Sequence, residues 1–176
     1  DAAGFLQNQL TNDVEHLGTA EARLAGYCTP KGRLQATFLM WRDADAVYLQ
    51  LPRAIQPPLQ KRLTMFVLRS KAKLRDATDE ARNAAVLGLG GAAAADALRT
   101  QVGALPETPY AKIDGAFGSV IRLADAFGHP RYLWLTTADD GVKALTALRA
   151  TLALGGNAAW QLAAVHAGVP QIGQAT

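Results

Sequence analysis

Apolar positions change their period several times along the chain, and each change marks a predicted element. Phe5, Leu6 and Leu10 recur at helical spacing, with Asp1 placed as N-cap and Thr11-Asn12-Asp13 marking the helix end. Residues 22 to 28 and 33 to 42 read as two strands. Thr29-Pro30-Lys31-Gly32 between them, with Pro second and Gly fourth, suits a type I turn and predicts a hairpin. After Asp43-Ala44-Asp45 comes a third predicted strand, 46 to 51, and Pro57-Pro58 open a helix with Leu59, Leu63, Phe66 and Val67 on one face.

A strand near 71 to 76 leads to the charged stretch Asp79 to Arg82, where the chain is expected to cross into a second half. That half repeats the mixture: a strand over 84 to 89, an Ala-rich helix over 92 to 101, strands near 117 to 123 and 131 to 136, and a helix over 139 to 153. Residues 104 to 112, with Pro106 and Pro109, read as a connecting loop and candidate lid. Strands that come in hairpins predict an α+β fold of two related halves, about 1–78 and 79–176, each with helices on an antiparallel sheet.

Composition narrows the class without naming a chemistry. A hydrophobic content of 49% with 19% charged residues is that of a globular chain, and no apolar run is long enough for a membrane span. The single Cys28 excludes an internal disulfide and fits a reducing cytoplasm, the expected location. His16, His129 and His166 are too scattered for a metal site, so no metal is expected. A net charge of +3 compels no nucleic-acid partner, although a local cluster can still serve one. The absence of an initiator Met and of a signal-peptide pattern reads as a chain taken from within a longer polypeptide.

Three segments carry a resemblance. Phe5-Leu-Gln-Asn-Gln-Leu-Thr-Asn-Asp13-Val, Tyr27-Cys-Thr-Pro-Lys-Gly-Arg33-Leu and Ala167-Gly-Val-Pro170 resemble, in order and spacing, motifs of the YgfZ family, kin of the glycine-cleavage T-protein or aminomethyltransferase. The family's K-G-C-Y-x-G-Q-E stretch would follow beyond Thr176, so the resemblance is to the part that precedes it. It implies a folate cavity at the centre of two α+β halves, with a C-terminal barrel domain absent here. The implied ligand is tetrahydrofolate, and the implied role is that of an accessory protein in iron-sulfur cluster assembly or repair. Its partners would be iron-sulfur enzymes or assembly proteins, including those that modify transfer RNA.

The strand 33 to 42 divides into Leu34, Ala36, Phe38 and Met40 on one face and Gln35, Thr37, Leu39 and Trp41 on the other. Leu24, Gly26 and Cys28 of the preceding strand share one parity, small or apolar residues that leave room for a flat ring. Periodicity alone does not separate a pocket wall from a face packed under a helix. With the resemblance, Asn12, Leu24, Thr37, Leu39 and His166 are the expected folate-binding residues. Against the T-protein pattern, Leu24 stands for a Tyr, Thr37 for the Asp that serves the folate amine, and His166 for the Glu that grips the pterin. A threonine hydroxyl is a poor proton acceptor, so no catalytic residue is assigned. His166 reads equally as a helix-end histidine satisfied by backbone.

Lys61, Arg62, Arg69, Lys71, Lys73 and Arg75 form a basic run that reads either as solvated surface or as a rim for a folate's glutamate tail or for transfer RNA. Lys31 and Arg33 at the hairpin tip carry the same two readings, and Cys28 reads as a small structural residue. Gly88-Leu-Gly90-Gly-Ala-Ala93 has the form of a dinucleotide-binding turn, with Glu107 downstream, but no second strand precedes Glu107. Beside the accessory role stand two alternatives: a folate-dependent aminomethyltransferase, which Thr37 disfavours, and an inert interaction module without folate affinity.

Overall fold

The computed structural model describes residues 2–67 and 70–173. The expected cap Asp1 and the basic Arg69 lie outside them. Five α-helices and two antiparallel sheets among the described residues make the fold α+β. The chain divides into two compact units, one running to Asp76 and resuming at Pro170, the other Ala77–Val169.

In the first unit, α1 (Ala2–Gln7) precedes a sheet of β1 (Ala22–Cys28), β2 (Leu34–Arg42) and β3 (Val47–Gln50), in that order, and α2 (Gln56–Thr64) follows. The predicted turn closes the hairpin, with the Gly32 N–H donating to the Thr29 carbonyl at 2.8 Å. Ala25, Tyr27, Ala36, Phe38 and Met40 turn one face into a core with Phe5, Leu6, Leu10 and Val14, capped by Leu59 and Leu63 of α2.

Three expectations fail here for local reasons. A bulge between Tyr27/Cys28 and Ala36/Leu34 flips the parity of β2, so Leu34 leaves the apolar set and sits half exposed opposite Cys28. The α2 helix stops at Thr64, leaving Phe66 51% exposed instead of on the buried stripe. Residues 71 to 76 alternate as a strand would, with Ala72 and Leu74 packed on the core, yet they belong to no ladder among the described residues.

The second unit orders its strands β4 (Ala85–Gly90), β7 (His129–Thr136), β6 (Gly118–Ala126), β5 (Lys112–Gly115), all antiparallel. Leu89, Val120, Tyr132 and Trp134 pack on α3 (Ala92–Val102) through Ala94, Ala95 and Leu98, and on α4 (Ala138–Arg149) through Ala144 and Leu148. The last helix, α5 (Gly156–His166), closes the unit.

The expected helix over 139 to 153 ends four residues early, at Arg149. The expected loop 104 to 112 runs into β5, and the Tyr110 N–H donates to the Arg122 carbonyl at 2.7 Å, fixing that end of the candidate lid to β6. Among the described residues, no helix is long and apolar enough to cross a membrane.

Candidate functional site

The first resembling motif is spent on the free edge of β1. Leu10 bridges to Tyr27, and Thr11 pairs with Gly26 twice: its N–H donates to the Gly26 carbonyl at 2.9 Å, and its Oγ1 accepts the Gly26 N–H at 2.8 Å. The Asn12 side-chain amide then donates to the Leu24 carbonyl at 2.8 Å. Thr11 and Asn12 thus satisfy groups on an edge that would otherwise present them unpaired, and Gln7 Oε1 accepts the Val14 N–H at 2.6 Å. Asp13 accepts from the His16 N–H, which holds its carboxyl below the ordinary carboxylate value, and Arg23 donates to the Asp13 carbonyl.

The face of β1 and β2 away from the first core carries three of the expected site residues, Leu24, Thr37 and Leu39. Register places Leu24 opposite Leu39, Gly26 opposite Thr37 and Ala22 opposite Trp41. Leu39 and Trp41 are buried, Leu24 and Thr37 half-buried, and Trp41 stacks on Tyr48 of β3 with centroids 5.5 Å apart. The room expected over Gly26 is taken: a Cβ there would meet Leu34 Cδ1 at 2.8 Å and Thr11 Oγ1 at 3.3 Å. What remains is an apolar wall of Leu24 and Leu39 beside the Thr37 hydroxyl, which accepts the Ile172 N–H at 3.4 Å. Leu39 is buried and the Thr37 hydroxyl is engaged, so the half-buried Leu24 is the most open of the three.

The resembling segment that ends at Pro170 is a helix stop. The Gly168 N–H reaches the Val165 carbonyl and the Val169 N–H the Ala164 carbonyl, both at 3.0 Å, with Gly168 at φ 69°. This is a Schellman closure, which favours glycine, and Pro170 follows where no helical N–H is needed. From there the chain passes into the first unit and delivers Ile172 to Thr37. Ile172 was not among the expected site residues, and the short segment after the Gly-x-Pro stop was the only sequence signal for it.

His166 lies in the second unit, at the end of α5. Its Nδ1 accepts the Phe127 N–H at 3.1 Å, and the two rings meet with centroids 4.0 Å apart. With Nδ1 accepting, the ring proton sits on Nε2, which remains a donor. Nearby, Arg131 is 4% exposed; it donates to the Ala163 carbonyl and lies 4.5 Å from the Trp160 ring centroid. Burial lowers its pKa, with Tyr110 opposing.

Gly88 allows that arrangement, since a Cβ there would lie 2.9 Å from the Trp160 ring, and Gly91 at φ 105° turns β4 into α3. The glycine run is therefore a packing device. Its strand pairs antiparallel with β7, so the parallel βαβ unit of a dinucleotide site is not formed.

Of the basic run, Arg62 donates to the Tyr27 hydroxyl at 3.1 Å, whereas Lys61, Lys71 and Lys73 are exposed. Cys28 is half-buried, and no group of His, Cys, Asp or Glu among the described residues is arranged to hold a metal ion.

No family model matches the chain. It is 28% identical over 173 residues to the tRNA-modifying protein YgfZ of Edwardsiella ictaluri, across 98% of this chain and 50% of that protein. It is also 28% identical over 178 residues to that of Klebsiella pneumoniae, across 99% and 52%. To that of Escherichia coli it is 25% identical over 174 residues, across 98% and 51%. The chain spans about half the length of the curated relatives it matches. The YgfZ resemblance of three short motifs thus holds along the whole chain.

Proposed function

We propose that this chain is the folate-binding part of a YgfZ-type accessory protein that supports transfer-RNA modification by sustaining iron-sulfur enzymes. The observation that carries the folate assignment is the face of Leu24, Thr37 and Leu39, set apart from the first core and met by the Ile172 N–H. An apolar wall with one hydroxyl suits a neutral ring system held by contact and a few hydrogen bonds. The tie to transfer RNA comes from the names of the relatives.

The same face speaks against aminomethyl transfer. A general base needs a pKa near the working pH, and neither Thr37 nor its neighbours on β1 and β2 from Leu24 to Leu39 supply a carboxylate. Binding and turnover are expected to separate. Full-length protein titrated with tetrahydrofolate should release heat with a Kd in the micromolar range, roughly 8 kcal/mol of binding. The same protein given an aminomethyl-loaded carrier should form no methylenetetrahydrofolate. Absence of heat removes the folate role, and turnover near that of a true aminomethyltransferase replaces the accessory role with an enzymatic one.

A further inference from the structure

The outer side of α2 has a chemistry the folate face does not use. Pro57, Gln60, Lys61, Thr64 and Met65 fall on one stripe, opposite the buried Leu59 and Leu63. With Gln56 and the ion-paired Arg53 and Asp76 they bound an open cavity of about 600 Å³. The Gln60 side-chain amide donates to the Leu74 carbonyl at 3.3 Å, which draws the extended segment 71 to 76 alongside the helix. Because Ala72 and Leu74 turn inward onto the core, Lys71 and Lys73 turn outward, spaced roughly 6 to 7 Å apart as alternate residues of an extended chain.

Two features of this surface occur together. Whereas Lys112, Lys143, Arg23, Arg99 and Arg122 each hold a carboxylate, Lys61, Lys71 and Lys73, like Lys31 and Arg33 at the hairpin tip, hold none among the described residues. Their charge is left for something outside. At the end of α2, Met65 and Phe66 are 59% and 51% exposed side by side, a thioether and an aromatic face with no core to join. Free cations beside an exposed ring match what an unpaired nucleic acid strand offers: phosphates for the lysines and base faces for the ring. A duplex presents the phosphates but keeps its bases stacked.

We infer that this surface binds a single-stranded RNA segment, its phosphates on Lys61, Lys71 and Lys73 and a base on Phe66 and Met65. The choice of RNA among polyanions rests on the transfer-RNA reading above; the single-strand preference rests on the exposed pair. The probe is a short fluorescein-labelled single-stranded RNA, with its duplex as comparison, followed by anisotropy on full-length protein over a salt series. The single strand should bind more tightly, and the K71E/K73E protein should lose at least tenfold in affinity.

The salt slope of the double variant should fall by about 1.4, two phosphate contacts at roughly 0.7 each. Phe66→Ala should weaken binding about fivefold or more with the slope unchanged, since stacking releases no counterions. These positions are exposed, and circular dichroism checks that each variant is folded. Equal affinity for strand and duplex, or unchanged binding by K71E/K73E, would overturn the inference. A tetrahydrofolate titration of the same preparations separates the two readings: folate binding retained without RNA binding sinks the RNA surface alone, and the reverse sinks the folate site alone.

Discussion

Each sheet has one face in a core and a second face put to other use, and the two second faces differ. In Ala77–Val169, α5 lays Trp160 over Gly88 and against Arg131, and the Arg131 guanidinium ties β7 to the Ala163 carbonyl. In the first unit the second face meets smaller things: Thr11 and Leu34 over Gly26, Tyr48 on Trp41, and a backbone N–H from Ile172 at Thr37. A face closed by a tryptophan and a buried arginine is committed to structure. A wall of two leucines and a hydroxyl, with Leu24 and Thr37 half-buried, is the face that the proposed reading gives to a ligand.

The contrast between the faces of β2 should give the largest effect. Phe38 is 2% exposed in the first core, and Phe38→Ala should cost about 3 to 5 kcal/mol by transfer and cavity terms. Thr37→Val, one residue away on the other face, loses only a long hydrogen bond to Ile172 and should cost under about 1 kcal/mol. Urea unfolding of both variants measures the difference; comparable losses would mean that both faces are core.

Next in size, Gly88→Leu should drive its side chain into Trp160 and cost about 1 to 3 kcal/mol as an overpacked site. Gly32→Ala is the comparison at a glycine with nothing within 4 Å; its strain comes only from φ 79° at the hairpin turn. Unfolding midpoints that rank Gly32→Ala as the worse would show that Trp160 yields easily.

How far these regions were legible follows from what made each element. The β1–β2 hairpin, β4, α3 and β7 had their pattern in their own residues: alternation, a Pro-x-Gly turn, an Ala-rich run. The four residues of β5, Lys112-Ile-Asp-Gly115, have no period of their own and exist through pairing with β6. Segment 71 to 76 shows the converse, since Ala72 and Leu74 impose alternation by packing where no ladder partner among the described residues completes a strand.

At the candidate site, the parity that groups Leu24, Thr37 and Leu39 was readable, but the bulge that swings Leu34 over Gly26 was not. Nothing local announced that Ile172, 135 residues from Thr37, would meet it. His166 was readable as a helix-end residue, and its bond to the Phe127 N–H depends on a tertiary turn.

Smaller still is a pH effect that marks the helical layer of the second sheet. Thr137 caps α4 by accepting the Asp140 N–H, and hydrogen bonds from Lys143 first and Thr137 second hold the Asp140 carboxyl below its ordinary 3.8. A depressed folded value means that the contribution is complete above the unfolded value and is lost as pH falls through the folded one. Thermal unfolding of Asp140→Asn should therefore be flatter with pH below about 4 and should rejoin the parent in strong acid. Parallel curves for parent and variant would show that the cap does not sense the charge. No side chain caps α2, so the first unit has no counterpart there.

The central claim, that the Leu24–Thr37–Leu39 face receives a reduced folate, is tested most directly by titrating tetrahydrofolate into full-length Leu24→Arg and parent protein, with thermal midpoints taken on the same samples. The account predicts micromolar binding by the parent and its loss in the variant, with the midpoint within a few degrees because Leu24 is only half-buried and outside the core. Undiminished folate binding by a folded Leu24→Arg protein would contradict it.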